Sequence, residues 1–182
     1  MNLVSSIINN DIDKQYTIYN WIKEKIRKDS IKFELIFKMS RDGSNCKDFH
    51  NLCDNKGPTL ILIQTTKNKI FGGFTPLNWK GDKNKEREIK CDESLQTFIF
   101  SLNSMKKYDL LSKDDYAITC SMNHGPNFGN WNFMVEEDMK QGKIFASENC
   151  TFIFNKVLEL TGGKGEKDIF ETKELEVFKV RY

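Results

Sequence analysis

Along the first thirty residues, Ile18, Trp21, Ile22 and Ile26 recur at the spacing of one helical face, while Lys23, Glu24 and Lys25 point away from it. With Asp11 or Asp13 placed to cap, the pattern predicts a helix over about 14–28, too short for a coiled coil and laid against a core. Phe33 to Lys38 then reads as a strand, and Ser40-Arg41-Asp42-Gly43 as a polar turn. Cys46, Phe49, His50 and Cys53 fall at i, i+3, i+4 and i+7, one face of a short helix that Ser44 or Asn45 can cap. Asn55-Lys56-Gly57-Pro58 stops it, since Gly accepts a left-handed residue and Pro cannot continue the hydrogen bonding.

From Thr59 to Ile63 the chain is apolar on both sides, which predicts a strand covered on both faces. Thr65 to Asn68 turns into a second strand, Lys69 to Thr75, whose adjacent Gly72 and Gly73 imply a bulge or the close approach of an aromatic side chain. Period-two patterns follow at Thr97–Leu102, at Tyr116, Ile118 and Cys120, at Trp131, Phe133 and Val135, and at Glu174–Arg181. Val135 to Gln141 is expected to form one helical turn ending at Gly142, and Thr151 to Leu158 fits strand or helix equally. Many short strands with few strong helices predict an α+β fold, a β-sandwich with helices packed on it, in a single domain over residues 1–182.

Composition narrows the function. The 182 residues carry 28 Lys and Arg against 26 Asp and Glu, a net charge of +2, so the chain lacks the basic excess of a phosphate-neutralising nucleic-acid binder. The densest charged run, Lys80 to Lys90, mixes both signs and reads as a solvated loop. Five cysteines (Cys46, Cys53, Cys91, Cys120 and Cys150) are odd in number, scattered and without a CxxC pair. With no signal-peptide pattern and no run of ~18 apolar residues, this predicts a cytoplasmic protein with reduced thiols.

The order of blocks SRDGSNCKDFHNLCDNKGPTLILIQ (40–64), KIFGGFTPLNW (69–79), FIFSL (98–102) and LEVFKV (175–180) resembles the TLDc domain family, in the stand-alone variety of amoeboid protists. The likeness runs from about Trp21 to Val180, and is weaker over Ser147–Phe152. It implies a sandwich of two antiparallel sheets with flanking helices, and a non-enzymatic role in oxidation resistance or in regulating the vacuolar proton-pumping ATPase through direct binding. It implies no cofactor. It also marks Arg41, Asp42, Gly43, His50, Asp54, Gly57, Gly72, Gly73, Trp79 and Glu176 as signature or binding positions. The chain departs from the family pattern at Gly125–Trp131 and in the charged Lys80–Lys90 segment, and both are expected as partner-facing loops.

Each signature residue also has a plainer reading. Asp42-Gly43 is a common turn pair. Gly72 and Gly73 lack the GxGxxG or GxxxxGK[ST] context of a phosphate loop. Cys46, His50, Cys53, Cys120 and His124 form a zinc-like set, yet their face is the one a short helix buries, and structural zinc sites favour tighter paired spacings. A Cys53–His50 pair suggests thiol chemistry, in a pocket under Gly72 and Gly73, as the enzymatic alternative. Nucleic-acid binding through Lys80–Lys90 and the N-terminal helix lysines is the third class. Glu176 shares a face with Phe178, Val180 and Tyr182, so it must be paired, to backbone N–H groups of a loop or to a cation such as Arg41.

Overall fold

The computed structural model describes residues 3–9, 11–82, 84–146, 151–152, 160–161, 163 and 166–182. The undecided run Thr151–Leu158, the weak block Ser147–Phe152 and Cys150 lie wholly or mostly outside the described residues. The segment 3–9 leads into α1 (Ile12–Ile26), which starts where the Asp11 carboxylate accepts the Lys14 N–H and ends at Arg27 in the left-handed region, φ 54°. β1 (Lys32–Lys38) follows, then α2 (Met39–Asp42) and α3 (Cys46–Cys53). Nine of the remaining strands are short: β2 (Thr59–Thr65), β3 (Ile70–Thr75), β4 (Glu88–Cys91), β5 (Phe98–Ser101), β6 (Lys106–Asp109), β7 (Tyr116–Cys120), β8 (Asn127–Phe128), β9 (Phe133–Val135) and β10 (Gln141–Phe145). The last, β11 (Lys167–Arg181), is 15 residues long.

That length makes β11 the spine of the molecule. Its first part, Lys167–Glu171, pairs with β10 in a sheet ordered β4-β7-β8-β9-β10-β11. Beyond Thr172 it pairs with β2 on one edge and β1 on the other, in a sheet ordered β1-β11-β2-β3-β5-β6. Every pairing is antiparallel, so this is the two-sheet α+β sandwich the sequence predicts.

Two cores result. Between the sheets, Ile61, Ile63, Phe71, Leu175 and Val177 meet Phe128, Phe133, Val135 and Ile144, with Phe49 and Cys53 of α3 closing one side. On the outer face of the β1-β11-β2-β3-β5-β6 sheet, Leu60, Leu62, Phe74, Phe100 and Phe178 are covered by Ile18, Ile22 and Ile26 of α1 and by Leu3 and Ile7. Alternate residues of β2 thus serve opposite cores, which explains why its whole run is apolar.

Three local expectations are corrected. Ser40-Arg41-Asp42 is not an open turn but part of α2, wound up because Asp42 accepts the Lys38 N–H at 2.8 Å and Gly43, at φ 119°, donates to the Met39 carbonyl at 3.2 Å. Val135–Gln141 is not a helical turn. Glu136 donates to the Gln141 carbonyl at 2.9 Å, and Met139, buried at φ 54°, closes a β9–β10 hairpin whose second strand is held by β11. Trp131 stands in the turn before β9 rather than in the strand, at φ 72°. Gly72 and Gly73 pair in register with both β2 and β5, so of the two readings offered the close approach holds, without a bulge.

Candidate functional site

Of the Cys and His residues singled out in the sequence, Cys46, His50 and Cys53 lie on α3, and Cys120 and His124 flank the turn after β7 whose carbonyls His50 reaches. A capping box starts α3: the Asn45 side chain accepts the Lys47 N–H at 2.9 Å and Asp48 accepts the Asn45 N–H at 3.2 Å. The helix buries Cys46, Phe49, His50 and Cys53, the face that the spacing predicts.

His50 is 5% exposed and both its ring nitrogens face acceptors. Nδ1 lies 2.9 Å from Asp54 Oδ1, at the C-terminal cap of α3, and Nε2 lies 2.9 Å from the Ser121 carbonyl and 3.1 Å from the His124 carbonyl. A carbonyl cannot donate, so Nε2 carries hydrogen, and the Asp54 carboxylate asks the same of Nδ1. Burial works against the charged ring, but the Asp54 hydrogen bond and charge and the two carbonyls outweigh it and raise the pKa of His50. The residue is therefore a clamp joining α3 to the 121–124 turn.

The thiols around it are packed and quiet. Cys46 Sγ donates to the Met122 carbonyl at 3.3 Å and Cys120 Sγ to the Asn78 carbonyl at 3.7 Å. Burial raises all three titrations: Cys120 is pushed up to about 12, Cys53 is driven further beyond the ordinary thiol range, and Cys46 is raised with help from the Glu137 charge. His50, with both nitrogens engaged, has no lone pair to offer a thiol or a metal. Among the described residues no group of three or more His, Cys, Asp or Glu side chains is arranged to hold a metal ion. The pocket expected under the paired glycines is filled: a Cβ on Gly73 would come within 2.7 Å of the Phe128 ring, and one on Gly72 within 3.0 Å of Phe100.

The other signature positions fall in separate places. Trp79, 1% exposed, donates its indole N–H to Thr59 Oγ1 at 2.8 Å and stands edge-on to Phe49 and Phe128, with centroids 5.8 and 5.4 Å away. Gly57, at φ 79°, donates to Asn78 Oδ1 at 3.0 Å. Arg41 forks onto its neighbour Asp42, with Nε–Oδ1 and Nη2–Oδ2 both 2.7 Å. This pairing raises the arginine pKa and lowers that of the acid, each chiefly through the hydrogen bonds between them. Gly43 beside them has no room for a Cβ, which would meet Asp48 Cγ at 2.6 Å. Glu176 lies on the opposite, outer face of the β1-β11-β2-β3-β5-β6 sheet. Its partners are Ser5 and Ser6 of the N-terminal segment, with Lys38 Nζ 3.7 Å away; Arg41, suggested as its cation, is engaged by Asp42 instead.

Next to the His50 clamp, on its solvent side, the fold opens a cleft of about 220 Å³. Thr119, Ser121, His124, Asn127 and Trp131 wall it, and Glu86 and Arg87 close it. The two segments that depart from the family pattern are thereby brought to one place. His124 Nδ1 lies 3.1 Å from Ser121 Oγ, and its ring stands edge-on to Trp131 at 6.1 Å. Neither this cleft nor the one walled by Asn45, Glu137 and Gln141 is lined by Cys53, His50, Gly73 or Glu176. Thr119, Ser121, Arg87 and Glu86 could not be picked out from sequence, because strand period and loop composition are all they show there.

Comparison with known proteins places this arrangement in a family. A sequence profile described as "TLDc domain" matches residues 2–181. The chain is 22% identical over 132 residues to MTOR-associated protein MEAK7 of Danio rerio, covering 67% of this chain and 28% of that protein. It is 28% identical over 138 residues to the Gallus gallus protein of the same name, covering 66% and 26%. With TBC1 domain family member 24 of Xenopus laevis it shares 25% identity over 109 residues, covering 59% and 19%. The chain thus spans less than a third of the length of these relatives. With its profile match running nearly end to end, the chain belongs to the TLDc domain family.

Proposed function

We propose that this chain is a non-enzymatic, single-domain protein-interaction module that regulates an assembly by binding it, and that the assembly is the vacuolar proton-pumping ATPase. Oxidative-stress resistance is the physiological setting, and the cytoplasm, with recruitment to endomembranes, the place of action. The observation that carries this reading is family membership over residues 2–181. A relative named for its association with MTOR is a precedent for work done through a protein partner. The state of the thiols supports a non-catalytic role: the base that a Cys53 nucleophile would need is His50, whose nitrogens serve Asp54 and two carbonyls. Among the described residues no helix is long and apolar enough to cross a membrane. Nucleic-acid binding is disfavoured by pairing along α1, where Lys14, Lys23 and Lys25 each meet an aspartate.

The test is co-capture. Tagged full-length protein should retain subunits of the peripheral sector of the proton pump from lysate, and should bind that sector after both are purified. Failure of both captures overturns the assignment of the partner.

A further inference from the structure

We infer that the cleft between the 84–87 loop and the 121–131 segment docks an extended peptide segment of a partner protein, carrying a single carboxylate that Arg87 receives. The inference rests on the reading of this chain as a protein-interaction domain and assigns that interaction a site.

Asn127 carries the argument. It is 3% exposed, it lines the cleft from β8, and its amide oxygen has no hydrogen-bond partner among the described residues. Buried polar atoms are nearly always paired, because losing water without a replacement is costly. The exception here belongs to a residue in the wall of an open cleft, where a flip of the carboxamide turns this buried oxygen toward an incoming group. A carboxamide both donates and accepts, and the group that answers it in the same way is a peptide unit.

Trp131 is the second observation. An aromatic residue at φ 72° is strained, and such strain persists only where the surroundings overdetermine it. Here they do. The buried Asn132 accepts from the Thr151 and Phe152 N–H groups at 3.1 and 3.3 Å and donates to the Phe152 carbonyl at 3.0 Å. Gly129, at φ 67°, lies against that amide with no room for a Cβ, which would meet Asn132 Cγ and Thr151 Oγ1 at 3.1 Å. The turn is thus rigid before any ligand arrives, and it presents a half-buried indole to the cleft while Phe128 and Phe133 on either side are in the core.

Arg87 supplies the charge. Arg41 and Arg181 each rest on a carboxylate, whereas Arg87 is exposed and makes no ion pair among the described residues. A guanidinium takes a carboxylate in a two-point fork, and Trp and Arg are the residues that most often dominate binding energy at interfaces. Glu86 beside it limits the partner to one acid at this point, since a second would meet like charge. Size favours a peptide over a cofactor: about 220 Å³ is below the ~300–1,000 Å³ usual for small-molecule pockets.

A displayed library of randomised heptapeptides, selected on the immobilised full-length protein, tests this. The enriched sequences should share one Asp or Glu at a fixed place, and the best peptide should shift the Trp131 indole and Asn127 amide resonances. Arg87→Glu, at an exposed position, should fold as wild type and weaken that peptide at least tenfold. Asn127→Leu should melt no lower than wild type, having lost an unpaired amide oxygen, and should also lose the peptide. Enrichment without an acidic position, equal binding by Arg87→Glu, or free glutamate shifting the same resonances as strongly as the peptide would each overturn the proposal. If Arg87→Glu and Asn127→Leu capture the proton pump as well as wild type, the cleft is not the docking site and the pump reading stands. If peptides bind the cleft and wild type captures no pump, that reading fails and the site remains.

Discussion

Ser5 donates its hydroxyl to Glu176 Oε2 at 2.5 Å, across 171 residues of sequence. Ser6 completes the arrangement, giving its N–H and hydroxyl to Oε1 at 3.1 and 2.7 Å. Glu176 is 1% exposed on a strand face otherwise occupied by Phe178 and Val180, so these donors are what allows a carboxylate there. They also bind the segment carrying Leu3 and Ile7 over the outer core.

Glu176→Ala should therefore destabilise the protein by about 2–3 kcal/mol, since it strands buried donors as well as removing their partner. For a chain of this size that lowers Tm by roughly 5–10 °C. Ser5→Ala should show a smaller loss. The double variant should cost less than the sum, as contacting residues do. Thermal melts of the three variants check this, and a Glu176→Ala melt superposed on wild type would refute the tie.

His50 predicts a pH dependence. Its folded pKa is raised, so the charged ring is favoured by folding. Its contribution is full below the ordinary histidine pKa of about 6.5 and fades as pH rises through the folded value. The stability gap between wild type and His50→Asn, read from urea melts, should be wider at pH 6 than at pH 9. A gap that widens with pH would contradict the clamp.

Gly73→Ala should cost about 1–3 kcal/mol by overpacking, because Phe128 is held by Trp79 and Phe133 and cannot swing away. Adding Phe128→Leu should recover part of the loss relative to the sum of the single changes. Chemical denaturation of the four proteins gives the coupling directly.

The thiols should separate by burial. At pH 8 a thiol titrating near 12, as Cys120 does, is on the order of one part in ten thousand thiolate. Iodoacetamide should label the exposed Cys91 in native protein, and Cys46, Cys53 and Cys120 only after unfolding. Peptide mapping by mass spectrometry resolves the sites. Rapid native labelling of Cys53 would revive the thiol-enzyme alternative.

Much of the fold was legible where one strong local signal had no rival. The α3 stripe, its cap at Ser44 or Asn45 and the doubly apolar β2 follow from periodicity and capping chemistry. Signals failed where distant strands decided the outcome. Val135–Gln141 has helical composition, but β11 takes Gln141–Phe145 as a strand and forces the hairpin. Trp131 fits a strand pattern, yet the Asn132 network holds it in a turn. The cleft was half legible: its two loops could be recognised as unusual, but nothing in the order of residues brings Arg87 toward Asn127.

By itself the sequence determined the elements that local physics controls, namely the caps, the apolar faces, the close approach at Gly73 and the family signature. The tertiary structure alone decided partnership. It gave Glu176 to Ser5 and Ser6 rather than to Arg41, used both nitrogens of His50 in a clamp, and left the Asn127 amide oxygen without a partner among the described residues, beside an open cleft. The physical reason is range: caps and periodicity act within a few residues, whereas burial and long-range hydrogen bonds depend on which strands pair.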